Sequence, residues 1–291
     1  MEGPRMSRPT QTLDSLRQEI DDLDDQILDL LMQRCAVVDR IAAAKRGGPA
    51  LRPGREAMIL RRVVGRWQGS LPKRTLVRLW RELLSGLVGV QSPFSVAVWM
   101  PERGAGYLEV ARNQYGSYTP TTSHQSPSQV VREVTSGNAT VGILPLPRWE
   151  DESPWWTQIL SNASDAPHIV ARLPLTGPGP LGIEALAIAR MEPEATDDDH
   201  SVLAVETGPD ISRSAFTEAL AAAGLPARAV WDARPTSDDG RFHVIEVRGF
   251  VEPKDERLAA LQHGASDGGG IRNARLLGAY ATPLPAEALT D

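Results

Sequence analysis

Apolar residues near the start of the chain recur every three or four positions, the spacing of a helix that buries one face. This pattern predicts a helix over residues 13–46, on the order of 50 Å long. Its apolar positions are Leu13, Leu16, Ile20, Leu23, Ile27, Leu30, Val37 and Ile41. Because such a helix is long for one small domain, the pattern also predicts packing against a second copy of the chain.

One arginine interrupts this apolar face. Arg34 occupies the position that follows Leu30 in the three-four spacing. A guanidinium among apolar side chains is costly unless an anion meets it, so either a carboxylate of the protein or an anionic ligand is expected there. Lys45 lies eleven residues further on, which places it on the same line of the helix, about 16 Å from Arg34. Arg17 lies about 260° around the same helix from Arg34.

Two further helices are predicted after a break at Gly47–Pro53. The first opens with Arg55 and Glu56, and the second follows Pro72. Residues predicted to form the apolar face of the third helix are Leu76, Leu79, Trp80, Leu83, Leu84 and Leu87. Basic residues along three such helices favour an anion pocket over a DNA-reading surface.

Residues 1 to about 90 resemble the all-helical class of chorismate mutases. That family's signature is LRxxI, then LDxxLLxLLxxR, a lysine eleven residues later, an Arg-Glu pair and a late glutamine. The chain matches these positions in order and spacing with Arg17, Leu23–Arg34, Lys45, Arg55–Glu56 and Gln91. Arg52 and Leu87 depart from the family's usual residues.

The resemblance implies a three-helix domain in an intertwined homodimer that rearranges chorismate to prephenate. It implies that Arg34 and the partner's Arg17 bind the two carboxylates of chorismate, because arginine forks match carboxylate geometry. Arg55 would support substrate binding.

The resemblance also assigns the groups that face the reacting atoms. Lys45 and Gln91 would point at the ether oxygen, where negative charge grows in the transition state. Glu56 would bind the ring hydroxyl. Since the rearrangement is unimolecular, no cofactor and no metal are expected.

Composition narrows the function classes. The chain has 291 residues, enough for two or three domains, and a net charge of -6. With a pI of about 5.5, binding to nucleic acid is not expected. The single cysteine, Cys35, excludes an internal disulfide framework. No stretch has the length of a signal peptide core or a membrane span, so a cytoplasmic protein without a membrane partner is expected.

After Gln91 the pattern changes to strand, helix and strand, which predicts an α/β layer with parallel strands. Residues 95–190 resemble a truncated prephenate dehydratase domain, with a periplasmic-binding-like lobe, through VAVWMPERGAGYLEVARNQYG and TVGILPLP. The second lobe of that family is missing. Ile183–Ala185 stands where its Thr-Arg-Phe motif belongs, so dehydratase activity is not expected.

The last hundred residues have the order βαββαβ, which predicts a ferredoxin-like domain. It resembles the ACT regulatory domain, with Asp232–Pro235 in place of Glu-Ser-Arg-Pro. Ile211–Arg213 replaces the Gly-Ala-Leu motif of the effector site. Both amino-acid sensing and a dimerising scaffold role therefore stay open.

The sequence thus predicts a multidomain α plus α/β protein with three parts. These are a helical mutase domain (1–93), a truncated dehydratase-like α/β domain (94–190) and an ACT-like domain (191–291). The predicted function is that of a dimeric chorismate mutase in phenylalanine and tyrosine biosynthesis. The alternative is a catalytically silent dimeric protein that retains the mutase fold and binds a metabolite or has a regulatory role.

Overall fold

A computed structural model describes residues 12–44, 50–102, 105–161, 166–179, 182–236, 239–263 and 270–290. The chain divides into two compact units, Met1–Ala50 and Leu51–Asp291. In the described part of the chain, no helix has the length and apolar character needed to cross a membrane.

The described part of the first unit contains one helix, α1, at Leu13–Ala44. Thr12 begins it, because its hydroxyl oxygen accepts a hydrogen bond from the Ser15 backbone N–H at 3.2 Å. None of the 32 residues of α1 is buried. The apolar residues at the predicted three-four spacing are 39 to 63% exposed. The helix is found where the sequence predicts it, and the predicted last residues, 45 and 46, lie outside the described part.

The second unit begins with α2 (Pro53–Arg66) and α3 (Lys73–Gln91). Pro53 suits the first position of α2. The first backbone N–H groups of a helix have no acceptor within the helix, so the N–H that proline lacks is not missed there. Helix α2 packs against strands β4 (His168–Leu173) and β9 (Ile271–Ala281). Together with α3 and the C-terminal segment it forms an apolar cluster of Ala57, Leu60, Val64, Val77, Leu175, Ala281, Leu284 and Leu289.

The buried face of α3 differs in part from the prediction. Its buried residues are Leu76, Val77, Arg81, Leu84, Ser85 and Val88. Leu79, expected on the apolar face, is 55% exposed. Leu76 and Leu84 are buried as predicted, and Trp80, Leu83 and Leu87 are half-buried. Because the apolar residues span about half of the helix circumference, spacing alone does not identify which part of that arc is buried. Contact with α4 (Gly106–Tyr115) selects it, and places an arginine and a serine inside.

The other strands and helices follow α4 in chain order. The strands are β1 (Val96–Trp99), β2 (Thr121–His124), β3 (Val141–Pro145), β5 (Ala185–Ala189), β6 (Asp199–Thr207), β7 (Ala227–Pro235) and β8 (Arg241–Arg248). The helices are α5 (Pro127–Thr135), α6 (Arg213–Ala222) and α7 (Glu256–His263), with 3-10 turns at Trp155–Ile159 and Ala286–Leu289. All nine described strands form one sheet in the order β2-β1-β3-β5-β4-β9-β6-β8-β7.

The predicted parallel layer is present in part. Strands β1, β2 and β3 are parallel, as expected for strands joined through helices. Strand β5, however, pairs antiparallel with both β3 and β4. No helix was found among the described residues between β4 and β5, and strands joined without a crossover helix pair antiparallel.

The last six regular strands and helices follow the order βαββαβ, and their strands lie in the order β9-β6-β8-β7. Strand β9 also pairs in parallel with β4 at Ile169 and Gly278, so one sheet crosses the predicted boundary between residues 190 and 191. The division into 1–93, 94–190 and 191–291 stays a prediction.

Candidate active site

Two of the predicted site residues, Arg17 and Arg34, lie on α1. Arg17 is exposed, and its Nη1 lies 3.2 Å from the Asp14 carboxylate one turn earlier. Arg34 is half-buried. Its Nη1 is buried and has no hydrogen-bond partner among the described residues. Lys45 lies outside the described part of the chain.

Arg55 and Glu56 are neighbours at the start of α2 but have opposite surroundings. The Arg55 side chain is exposed, whereas Glu56 is 7% exposed. Oε2 of Glu56 accepts a hydrogen bond from Nη1 of Arg81 on α3 at 2.9 Å. Their side chains are 9% and 5% exposed, so this is a buried ion pair.

Arg81 also binds the first helix of the α/β layer. With the Gln114 amide oriented to suit its surroundings, its oxygen accepts from Nη1 of Arg81 at 2.9 Å and from Nη2 at 3.2 Å. Burial raises the pKa of Glu56 more than the nearby Arg81 lowers it. Burial likewise raises the pKa of Tyr115, which follows Gln114 in α4. Glu56, Arg81 and Gln114 therefore form a buried polar cluster, in which the negative charge of Glu56 and the positive charge of Arg81 compensate each other.

Gln91 is the last residue of α3, and its side chain turns back along the helix. Its Nε2 donates to the Leu87 backbone carbonyl at 2.9 Å. Arg55, Glu56 and Gln91 belong to the second compact unit, whereas Arg17 and Arg34 belong to the first. The ion pair that Glu56 makes is with Arg81, which was not among the predicted site residues.

Arg81 was missed although the sequence held a signal for it. It lies four residues after Val77 and three before Leu84, both of which are buried on the same side of α3. The argument that singled out Arg34, a cation on an apolar helix face, applies equally to Arg81. The predicted apolar face shares Leu76 and Leu84 with the buried face but is centred about a quarter turn away, and Arg81 falls outside it.

A second buried polar cluster lies on the sheet. Glu184, which precedes β5, is bound to Arg172 of β4 at 2.9 Å. Arg172 also contacts the buried Glu246 of β8 at 2.9 Å, and Arg228 contacts the other oxygen of Glu246 at 2.8 Å. Tyr280 donates its hydroxyl to the same carboxylate. Glu184 is thus held in an ion pair with Arg172.

Comparison with known proteins places the helical region in a family. Residues 16–92 match the family model described as chorismate mutase type II, so the N-terminal part of the chain carries such a domain. The resemblance of the first ninety residues to chorismate mutases is confirmed.

Two relatives are bifunctional chorismate mutase/prephenate dehydratases. The protein from Stutzerimonas stutzeri is 30% identical over 141 residues, which cover 46% of this chain and 38% of the relative. The one from Neisseria gonorrhoeae is 30% identical over 141 residues, covering 47% and 39%. The chain therefore spans about two fifths of the length of the curated relatives it matches.

Solved structures with some likeness have low identity. A structure described as GqqA, a novel type of quorum quenching acylases, aligns with a TM-score of 0.49 and 16% identity, covering 69% of this chain and all of that one. Prephenate dehydratase from Streptococcus mutans aligns with a TM-score of 0.45 and 19% identity, covering 65% and 98%.

Proposed function

We propose that the protein is a chorismate mutase, which rearranges chorismate to prephenate in phenylalanine and tyrosine biosynthesis. The observation that carries the proposal is the match of residues 16–92 to chorismate mutase type II. The unpartnered guanidinium nitrogen of Arg34 supports it, because a donor without a protein acceptor is available to a ligand. A cytoplasmic location is part of the same proposal.

The proposed chemistry needs positioning and charge stabilisation only. Chorismate carries two carboxylates, for which Arg34 and the partner's Arg17 are proposed as ligands, with Arg55 in support. Holding the substrate in its compact conformer removes an entropic barrier. The ether bond breaks as a carbon–carbon bond forms within the same molecule, so no group leaves.

Lys45 and Gln91 are proposed to face the ether oxygen, where negative charge develops, and Glu56 the ring hydroxyl. For Glu56 the proposal has a physical condition. Arg81 occupies Oε2, and the Arg52 backbone also hydrogen-bonds to the carboxylate. A substrate hydroxyl would have to use a remaining lone pair, since a carboxylate accepts several hydrogen bonds.

The test is conversion of chorismate to prephenate by the purified full-length protein, with and without EDTA. Activity that EDTA leaves unchanged is expected. Arg34→Ala should lower kcat/KM by about 100-fold or more, the scale for loss of one charge-stabilising donor. Arg40→Ala is the matched control, because Arg40 is an exposed arginine of the same helix. Lack of turnover by the folded wild-type protein would favour the alternative, a silent binding or regulatory protein.

We propose that the active form is a homodimer joined through α1. The apolar residues of α1 support this, since Leu13 and Leu30 are each 63% exposed and such a row of exposed side chains marks an interaction surface. If the partner's Arg17 completes each site, then mixing Arg17→Ala and Arg34→Ala chains should restore part of the activity. No recovery in a mixture shown by light scattering to be dimeric would refute the shared site.

We also propose that the α/β region is dehydratase-like and ACT-like in descent but does not dehydrate prephenate. Support comes from Glu184, whose carboxylate is engaged by Arg172 and is therefore not free to act as an acid. Only 22 residues separate the end of β3 at Pro145 from the start of β4 at His168, which leaves little chain for a second lobe. Formation of phenylpyruvate from prephenate by the full-length protein would contradict this proposal.

A further inference from the structure

A cavity of about 230 Å³ lies in the second unit, where α3, α4 and the loop after β4 meet. None of the residues assigned above to the mutase reaction lines it. Its walls are formed by Arg74, Val77, Arg78, Arg81, Glu109, Val110, Asn113, Gln114, Pro174, Leu175, Thr176, Gly177 and Gly179.

Three of the lining residues are arginines on one side of α3. Arg74, Arg78 and Arg81 are spaced at four and three residues, so their side chains lie next to one another along the helix. Like charges at this spacing destabilise an isolated helix. One carboxylate, that of Glu109, lines the same cavity. Since Arg81 is already paired with Glu56, it is Arg74 and Arg78 whose charge exceeds that of Glu109 among the described residues of the cavity wall.

The arginines are not equally engaged by the protein. Arg81 is buried and held by Glu56 and Gln114. Arg74 donates from Nη1 to the Thr176 carbonyl at 3.2 Å, which leaves its other donors. Arg78 is exposed and makes no hydrogen bond or ion pair within the described part of the chain.

The loop on the opposite wall brings backbone close to the cavity. Gly177 has a φ of +70°, and its N–H donates to the Pro174 carbonyl at 3.0 Å to close a turn. A Cβ built at Gly177 or Gly179 would meet no atom within 4 Å. The two glycine positions therefore present no side chain, and a ligand has room to approach the backbone at them.

We propose that this cavity is a binding site for a small organic anion, held through its carboxylate or phosphate group by Arg74, Arg78 and Arg81. Guanidinium forks match both groups in geometry and charge. The volume lies below the roughly 300–1,000 Å³ of drug-sized pockets, which selects a compact ligand. Val77, Val110 and Leu175 supply an apolar wall for its carbon skeleton.

Titration calorimetry of the full-length protein at low ionic strength tests the site with three probes: malonate, inorganic phosphate and malonamide. Binding of malonate or of phosphate is expected, and the tighter of the two identifies the anionic group. Malonamide has the shape of malonate without its charge and should not bind. Failure of both anions at millimolar concentration, or equal binding of malonate and malonamide, would overturn the proposal.

Three variants locate the binding. Arg78→Gln should weaken it by about 10-fold or more, the scale of a hydrogen bond to a charged group. Glu109→Gln should tighten it severalfold by removing the one opposing carboxylate. Arg62→Gln, an exposed arginine of α2 away from the cavity, should leave it unchanged. Equal affinities for Arg78→Gln and Arg62→Gln, with unfolding midpoints unchanged, would refute the site. The result does not depend on mutase activity.

Discussion

Replacement of Arg81 tests how much its buried ion pair with Glu56 contributes to the stability of the fold. Arg81→Met keeps an unbranched, flexible side chain and removes the cation that lies 2.9 Å from Glu56. Breaking a buried ion pair at one partner costs about 3–5 kcal/mol, because the other charge stays desolvated. At about 2–4 °C per kcal/mol for a unit of roughly this size, the unfolding midpoint should fall by about 10 °C.

The size of this loss should depend on pH in a defined direction. Burial already raises the pKa of Glu56 above its ordinary 4.5, and without Arg81 that pKa rises further. A carboxyl whose pKa is raised in the folded state binds more protons there than in the unfolded chain. Its stability contribution is present below the ordinary pKa and is lost as pH rises through the folded pKa. The deficit of Arg81→Met should therefore be larger at pH 8 than at pH 5.

Urea unfolding of wild type, Arg81→Met, Glu56→Gln and the double variant measures the coupling. The double variant should be more stable than the sum of the two single losses predicts, since it leaves no buried charge. Arg62→Met is the control and should change the free energy of unfolding by less than about 0.5 kcal/mol. A loss below about 1 kcal/mol for Arg81→Met, or strict additivity, would refute the account of this cluster.

Three further variants test other parts of the sheet. Burial lowers the pKa of His243, so the unfolded chain binds the proton more readily than the folded protein. Stability should therefore fall as the pH drops below about 6.5, and it should fall less in His243→Gln. Urea unfolding midpoints at pH 7.5 and pH 5 measure the difference. Gly278→Ala should cost at least about 3 kcal/mol or prevent expression of soluble protein, because a Cβ there would lie 2.1 Å from the Ile169 carbonyl oxygen; a wild-type melting temperature would disprove the β4–β9 contact. Trp156→Phe removes the indole N–H that donates to Asp232 at 2.9 Å and should cost about 1.5–3 kcal/mol in thermal unfolding, whereas an unchanged midpoint would show that this bond contributes nothing.

Helix α1 and the family of the first ninety residues could be predicted from sequence alone. The spacing of apolar residues is a local property, since it depends only on the pitch of a helix. The motif from Arg17 to Gln91 is likewise a matter of residue type and separation. The family model confirms that resemblance for residues 16–92. The roles of Arg34, Lys45, Gln91 and the other site residues remain predictions.

The buried side of α3 and the partner of Glu56 were decided only by tertiary structure. Apolar residues span about half of the circumference of α3, so contact with α4, and not periodicity, determines that Arg81 is inside and Leu79 is outside. The joining of two predicted domains in one sheet has a similar cause. It depends on which strands meet in space, and that is settled by pairing between segments more than a hundred residues apart, as at Ile169 and Gly278. The antiparallel direction of β5 follows instead from the short connection between β4 and β5, which contains no helix among its described residues.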